Sequence, residues 1–215
     1  MMKKAFAAIA LSGMAMSAQA GLVINEDFSN VYGANGLAAK GWSGINTSSS
    51  AETPPNGWFQ GSSDIFSAQA GGENSYAAIN YNVTPDSQGV ISNWLYSPVF
   101  DATGGATVSF WLRGEVDANG EFSDSANYGF LLNGSLVELT AIGTVTQGEW
   151  VQYTATLGAD TVGMARFGVQ YASPAATANY IGLDSVTITS VPEPASLALL
   201  AFGALGLGIA RRRRA

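Results

Sequence analysis

The 215-residue chain contains no cysteine and no histidine. Their absence removes disulfides, thiolate nucleophiles, imidazole bases and Cys/His zinc sites from consideration. Cations are scarce too. Of nine, two are Lys3 and Lys4 and four are Arg211, Arg212, Arg213 and Arg214. Only Lys40, Arg113 and Arg166 remain between residues 21 and 193, against sixteen acids, a balance of −13 there compared with −7 for the whole chain. So acidic a body excludes nucleic acid and anionic lipid surfaces as partners. No stretch of the body sustains the helical apolar period over several turns. There is no Gly-x-Ser-x-Gly elbow and no glycine-rich loop leading into a helix, so serine hydrolase and nucleotide-binding schemes have no motif.

What is present begins with the two ends. Lys3 and Lys4 precede the apolar stretch Ala5 to Ala15, and Ala18-Gln19-Ala20 has the small-x-small form that signal peptidase cuts. Residues 1–20 read as a signal peptide for the Sec translocon, with Gly21 the first mature residue. At the other end, Val191-Pro192-Glu193-Pro194 leads into the uncharged run Ala195 to Ala210 and then the four arginines. A proline breaker, an apolar span and a basic stop make a membrane-retention device, with the arginines on the cytoplasmic side. The run of 16 residues gives about 24 Å of helix, against about 30 Å for a bilayer core. That is marginal for a permanent transmembrane helix and ample for a transient one.

Between the ends, residues 21–190 are rich in Gly, Ser, Thr, Asn, Val and aromatics, and short runs of period-two alternation recur between turn residues. Strands are expected at Leu22–Phe28, Tyr76–Tyr81, Val90–Tyr96, Ala106–Arg113, Tyr128–Leu132, Ser135–Leu139, Trp150–Leu157, Ala165–Tyr171 and Tyr180–Thr189. Asn133-Gly134 is a type I′ hairpin signal. The fold class is all-β, an antiparallel β-sandwich of jelly-roll type. Alternation turns Val108, Phe110 and Leu112 inward, with Val151, Tyr153, Leu157, Phe167 and Val169. Asn30 to Gln60 reads as long surface loops. The prolines after Ser190 end the last strand.

Two acids draw attention in this frame. Glu26 shares a face with Ile24 and Phe28, and Asp184 shares one with Tyr180, Gly182, Val186 and Ile188. If Phe28 and Val186 face the core, both carboxylates point inward and need a counter-charge. Calcium is the natural partner in a body with so few cations. Glu26 and Asp184 are its expected ligands, with Asp27 a weaker third; the competing reading is that both acids are solvated. Glu115-Val116-Asp117-Ala118-Asn119-Gly120-Glu121 invites comparison with glucanase carboxylate pairs. Those stand about 5 Å apart for retention and roughly 6.5–9.5 Å for inversion. Here Asn119-Gly120 reads as a turn that would break the strand holding such a pair, so a solvated loop is expected. Asp117, Asn119 and Asp124 remain as a second calcium loop. Trp42 and Trp58, in the loop segment, are candidate glycan platforms, and Trp111 is a third exposed ring. Trp94 and Trp150 sit in structural strand motifs.

The tail closely resembles the PEP-CTERM sorting signal. That resemblance implies retention at the inner membrane of a Gram-negative bacterium, cutting near Pro-Glu-Pro by an exosortase, and delivery to the cell surface or extracellular matrix. In the body, Asn25-Glu26-Asp27-Phe28, Gly41-Trp42, Ser92 to Pro98, Ser109 to Arg113, Trp150 to Tyr153, Arg166 to Val169 and Asn179 to Val186 follow one another in an order similar to the choice-of-anchor J domain. That domain is related to cleaved-adhesin and MAM-like jelly rolls, among which related adhesins carry structural calcium. The combined expectation is a non-enzymatic adhesion or biofilm matrix component, with exopolysaccharide as a partner. A carbohydrate-binding module or a polysaccharide hydrolase of the jelly-roll class is the alternative.

Overall fold

The computed structural model describes residues 21–33, 36–50 and 57–190. The signal peptide and the sorting residues Val191 to Pro194 and Arg211 to Arg214 lie outside these. All nine expected strands form: β1 (Gly21–Glu26), β4 (Ala77–Asn80), β5 (Asn93–Tyr96), β7 (Ala106–Gly114), β8 (Ser125–Leu132), β9 (Ser135–Thr144), β10 (Val151–Leu157), β11 (Met164–Tyr171) and β12 (Tyr180–Ser190). Three more, β2 (Ser43–Asn46), β3 (Phe59–Gln60) and β6 (Phe100–Asp101), are two to four residues long, and a one-turn helix α1 spans Gly36–Ala39. The expectation of long loops from Asn30 to Gln60 is therefore corrected. Ser43-Gly44-Ile45-Asn46 has one apolar side chain, and backbone pairing with β5 makes it a strand.

The strands build two antiparallel sheets. The first runs β10-β7-β12-β4-β3, with β1 beside the second half of β12; the other runs β2-β5-β11-β8-β9, with β6 on β11. This is the jelly-roll-like sandwich read from the sequence. Asn133 and Gly134 both take positive φ, 49° and 85°, as a type I′ turn demands, and join Leu132 to Ser135. The compact unit containing these elements spans Ala20–Val191. Among the described residues no helix is long and apolar enough to cross a membrane.

Val108, Phe110, Leu112, Phe167 and Val169 are all fully buried between the sheets. In β10, Leu157 is buried with Ala155, whereas Val151 and Tyr153 are half-buried because β10 is an edge strand. β12 departs from simple alternation. Ser185 has φ +49°, and the register against β7 slips between Asp184 and Thr187. This bulge lets Ile181 and Leu183 face the core before it, and Val186 and Ile188 after it. The expected face of Tyr180, Gly182, Asp184, Val186 and Ile188 is thus split in two. Asp184 turns away from the sandwich interior.

What covers Asp184 is a flap, residues 61–76, laid over the outer side of the first sheet. Phe66 stacks on Tyr76 (5.0 Å) and meets Trp150 and Tyr180 edge-on. Arg113 lies 4.5 Å above the Phe66 ring. The Trp150 indole N–H donates to the Ser67 carbonyl (3.0 Å). Gly182 makes room for all this: a β-carbon there would stand 2.9 Å from the rings of Phe66, Tyr76 and Trp150. These aromatics form a second apolar cluster separate from the main core.

Candidate functional site

The flap is fastened by Asp184. Its Oδ2 accepts the backbone N–H groups of Gln69 (2.8 Å) and Ala70 (3.2 Å), and its Oδ1 accepts Ser185 N–H (2.5 Å). The carboxylate is fully buried, with no ion pair to any described residue. Burial pushes its pKa up to about 6 against the pull of those hydrogen bonds.

Glu26 is in a different place. It pairs in register with core-facing Val186, on the side of β1 that leads to buried Phe28. Its Oε1 accepts Phe28 N–H (2.8 Å) and the Lys40 ammonium (2.5 Å). Lys40 is brought there by α1, whose end is closed by Trp42 N–H donating to the Leu37 carbonyl. Trp42 then packs on Phe28, ring centroids 4.9 Å apart.

Glu26 and Asp184, the expected ligands of one calcium, are each engaged by groups of the protein itself in this structure. The two expected ligands sit on opposite sides of the first sheet, one neutralised by Lys40 and the other hydrogen-bonded by the flap. Among the described residues no three acids stand close enough to hold a metal ion. Asp27 is nearer to the flap than Glu26 is: its Oδ2 lies 3.6 Å from where a Gly71 β-carbon would stand. Its Oδ1 accepts Ser29 N–H and Oγ–H, which hold its pKa below the ordinary value.

Replacing Lys40 by Met leaves the half-buried Glu26 with one hydrogen bond and no counter-charge. A loss of about 1 kcal/mol is expected in urea unfolding. Calcium or chelator should leave the wild-type melting temperature unchanged; a clear rise with added calcium would return the metal to this end of the domain.

The tryptophans are also placed differently. Trp42 is 2% exposed and belongs to the core, and Trp58 packs against that core half-buried. Their indole N–H groups have no hydrogen-bond partner among the described residues. Neither is the open glycan platform expected. Trp111 is half-buried. Trp94 stacks parallel on Tyr96 at 5.2 Å, and Trp150 holds the flap, so both are structural, in line with their strand motifs.

Between Glu115 and Asp124, two of the three residues expected in a second calcium loop, Asp117 and Asp124, have their carboxylates engaged by donors of the protein itself. Asp117 accepts N–H from Asn119 (3.0 Å) and Phe122 (2.7 Å), which closes its own turn. Asp124 is fully buried and accepts the Tyr171 hydroxyl and Asn179 N–H. Burial raises the pKa of both Asp124 and Glu115, and the charge of Asp124 raises Glu115 further.

One open feature has no counterpart among the sequence motifs. Residues 29–32 and 72–75 form the walls of a groove of about 490 Å³, with Gln60 between them. No periodicity or spacing in the sequence signals it, because its parts come from three separate segments. The pair Gly71-Gly72 at one wall is a local hint of a turn and no more.

Comparisons with known proteins agree with this architecture. Residues 190–214 match the PEP-CTERM protein-sorting motif. The K1 cleaved adhesin domain of Lys-gingipain from Porphyromonas gingivalis W83 is 22% identical, covers 79% of this chain and 98% of its own, and superposes with a TM-score of 0.50. The K2 domain of Lys-gingipain is 17% identical, with 77% and 98% covered and a TM-score of 0.50. A xylan-binding domain from Paenibacillus barcinonensis Xyn10C is 11% identical, with 81% and 97% covered and a TM-score of 0.45. No curated protein matches. The body therefore has the fold of cleaved adhesin domains, and the tail is a PEP-CTERM motif. That motif implies an exported protein, held transiently in the membrane and sorted by an exosortase.

Proposed function

We propose that the mature protein is a non-catalytic component of the cell surface or extracellular matrix, acting by adhesion to matrix polysaccharide. In this reading the Sec translocon and signal peptidase deliver the body with Gly21 first. An exosortase then removes the apolar tail and its arginines, and the sandwich works outside a Gram-negative cell.

The observation that carries the binding reading is how the acids are deployed. Polysaccharide hydrolysis needs two carboxyl groups facing one another across an open cleft, about 5–9 Å apart. Glu26, Asp117, Asp124 and Asp184 are each engaged by a cation or by backbone donors. Asp124 is sealed from solvent, so it offers its neighbour Glu115 no accessible partner. Among the described residues lining the groove beside the flap, Glu73 is the single carboxylate.

The test uses mature protein recovered from its native host and exopolysaccharide from the same cells. Co-sedimentation without new reducing ends is the expected result. Reducing ends that accumulate in proportion to protein would replace adhesion with hydrolysis.

A further inference from the structure

The groove beside the flap has the makings of a ligand site, and its chemistry narrows the ligand. Its walls are set by one side chain. Gln60 Oε1 accepts Val31 N–H (2.7 Å), while its amide N–H groups reach the carbonyls of Phe28 (3.1 Å) and Asn74. One amide thus ties the 28–32 wall to the 74–76 wall.

Both walls are stiff in themselves. Phe28 and Asn30 take left-handed φ of 52° and 59°, a costly conformation for a buried phenylalanine. The Asp27–Ser29 hydrogen bonds and the burial of Phe28 hold it. The opposite wall is a turn in which Ser75 N–H donates to the Gly72 carbonyl (2.8 Å) and Gly72 N–H donates to Ser75 Oγ (3.1 Å). Such a groove is formed before any ligand arrives, which limits the ordering cost of binding.

Its free groups are of one kind. Tyr32 is 62% exposed, and Asn30 and Glu73 are exposed as well. None of these three side chains hydrogen-bonds to a described residue. Ser29 and Asn74 also line it, with the Ser29 hydroxyl donated to Asp27 and the Asn74 side-chain oxygen accepting Ser63 N–H. Among the described residues, no lysine or arginine lines the groove, and no aliphatic side chain does. An anionic ligand would meet Glu73 and an acidic body without a counter-charge. An apolar ligand would find the single Tyr32 ring and no aliphatic surface to bury against. An uncharged sugar matches: Tyr32 offers a ring to its C–H face, and the amides and carboxylate offer donors and acceptors to its hydroxyls.

We infer that this groove binds an uncharged saccharide unit of a matrix polysaccharide, with Tyr32 as the stacking residue and Asn30 and Glu73 as hydroxyl partners. The inference rests on the adhesion reading above and names its site and ligand class.

Affinity electrophoresis of the mature protein through gels containing dextran, galactan, mannan, xylan or polygalacturonate tests it. Retardation by at least one of the four neutral glycans and not by polygalacturonate is expected. Tyr32→Ala should weaken that retardation about tenfold or more. Glu73→Gln should weaken it too, and Tyr81→Ala, an exposed ring outside the groove, should not. If neutral glycans retard wild type and Tyr32→Ala equally, the groove is overturned while adhesion stands. If no neutral glycan retards the wild type, or only polygalacturonate does, the ligand class proposed here is wrong.

Discussion

Asp184→Ala is expected to lose about 3 kcal/mol of stability while leaving the sandwich folded. The carboxylate is fully buried and takes hydrogen bonds from three backbone N–H groups, those of Gln69, Ala70 and Ser185. Alanine would leave these donors without a partner beneath the flap, at roughly 1–3 kcal/mol for each that water cannot reach. The main core does not depend on them, because Asp184 points away from it. The loss should therefore show as local opening of residues 61–76. Limited proteolysis within that segment should become fast, with Trp150 released from Ser67 and its fluorescence changed. A variant with wild-type urea stability and an uncut flap would show that the hydrogen bonds to Asp184 do not hold it down.

The same residue makes stability depend on pH. The ordinary aspartate value is 3.8, and Asp184 is raised to about 6 in the folded protein. Because the folded state binds the proton more tightly than the unfolded chain, the stabilisation is fully present below 3.8 and is lost as pH rises through 6. The total comes to about 3 kcal/mol, of which about 1.4 kcal/mol separates about pH 5 from about pH 7.5. Asp124 and Glu115 are shifted the same way and add to the slope. Asp27, Asp101 and Asp117 are shifted downward, so their contributions fade only at lower pH. Urea unfolding should thus show a more stable protein at the lower of these two values. Asp184→Asn should remove its share of the difference. A wild type equally stable at both, or an Asn variant with an undiminished slope, would remove Asp184 as the source.

Strands with repeated apolar alternation are legible in the amino-acid sequence, and so is the Asn133-Gly134 turn. β2, β3 and β6 are not, because two to four residues carry no period and their pairing partners lie far along the chain. The inward reading of Asp184 fails for a more instructive reason. A bulge with Ser185 at positive φ shifts the register, and serine gives none of the warning that glycine would. Glu26 finds a different partner from the expected one because Lys40 lies fourteen residues away, in a segment whose composition reads as loop. The glycan reading attaches to Trp42 and Trp58 by residue type alone, whereas Trp42 lies in the core and Trp58 packs half-buried against it. Tyr32 carries no signal of its own, since only the assembled walls and Gln60 show that its ring stands beside a groove.

In the proposed reading, the sandwich works outside the cell and both ends serve as addresses. β1 and β12 lie antiparallel with Gly21 opposite Ser190, so the two proposed cuts would fall at the same end of one strand pair. The most direct measurement is intact mass spectrometry of the protein recovered from the surface or medium of its native host. A species beginning at Gly21 and ending near Pro192–Pro194, with or without an attached group, is the predicted result. Recovery of Arg211–Arg214 on most of the mature protein would contradict sorting by cleavage and make the tail a permanent anchor.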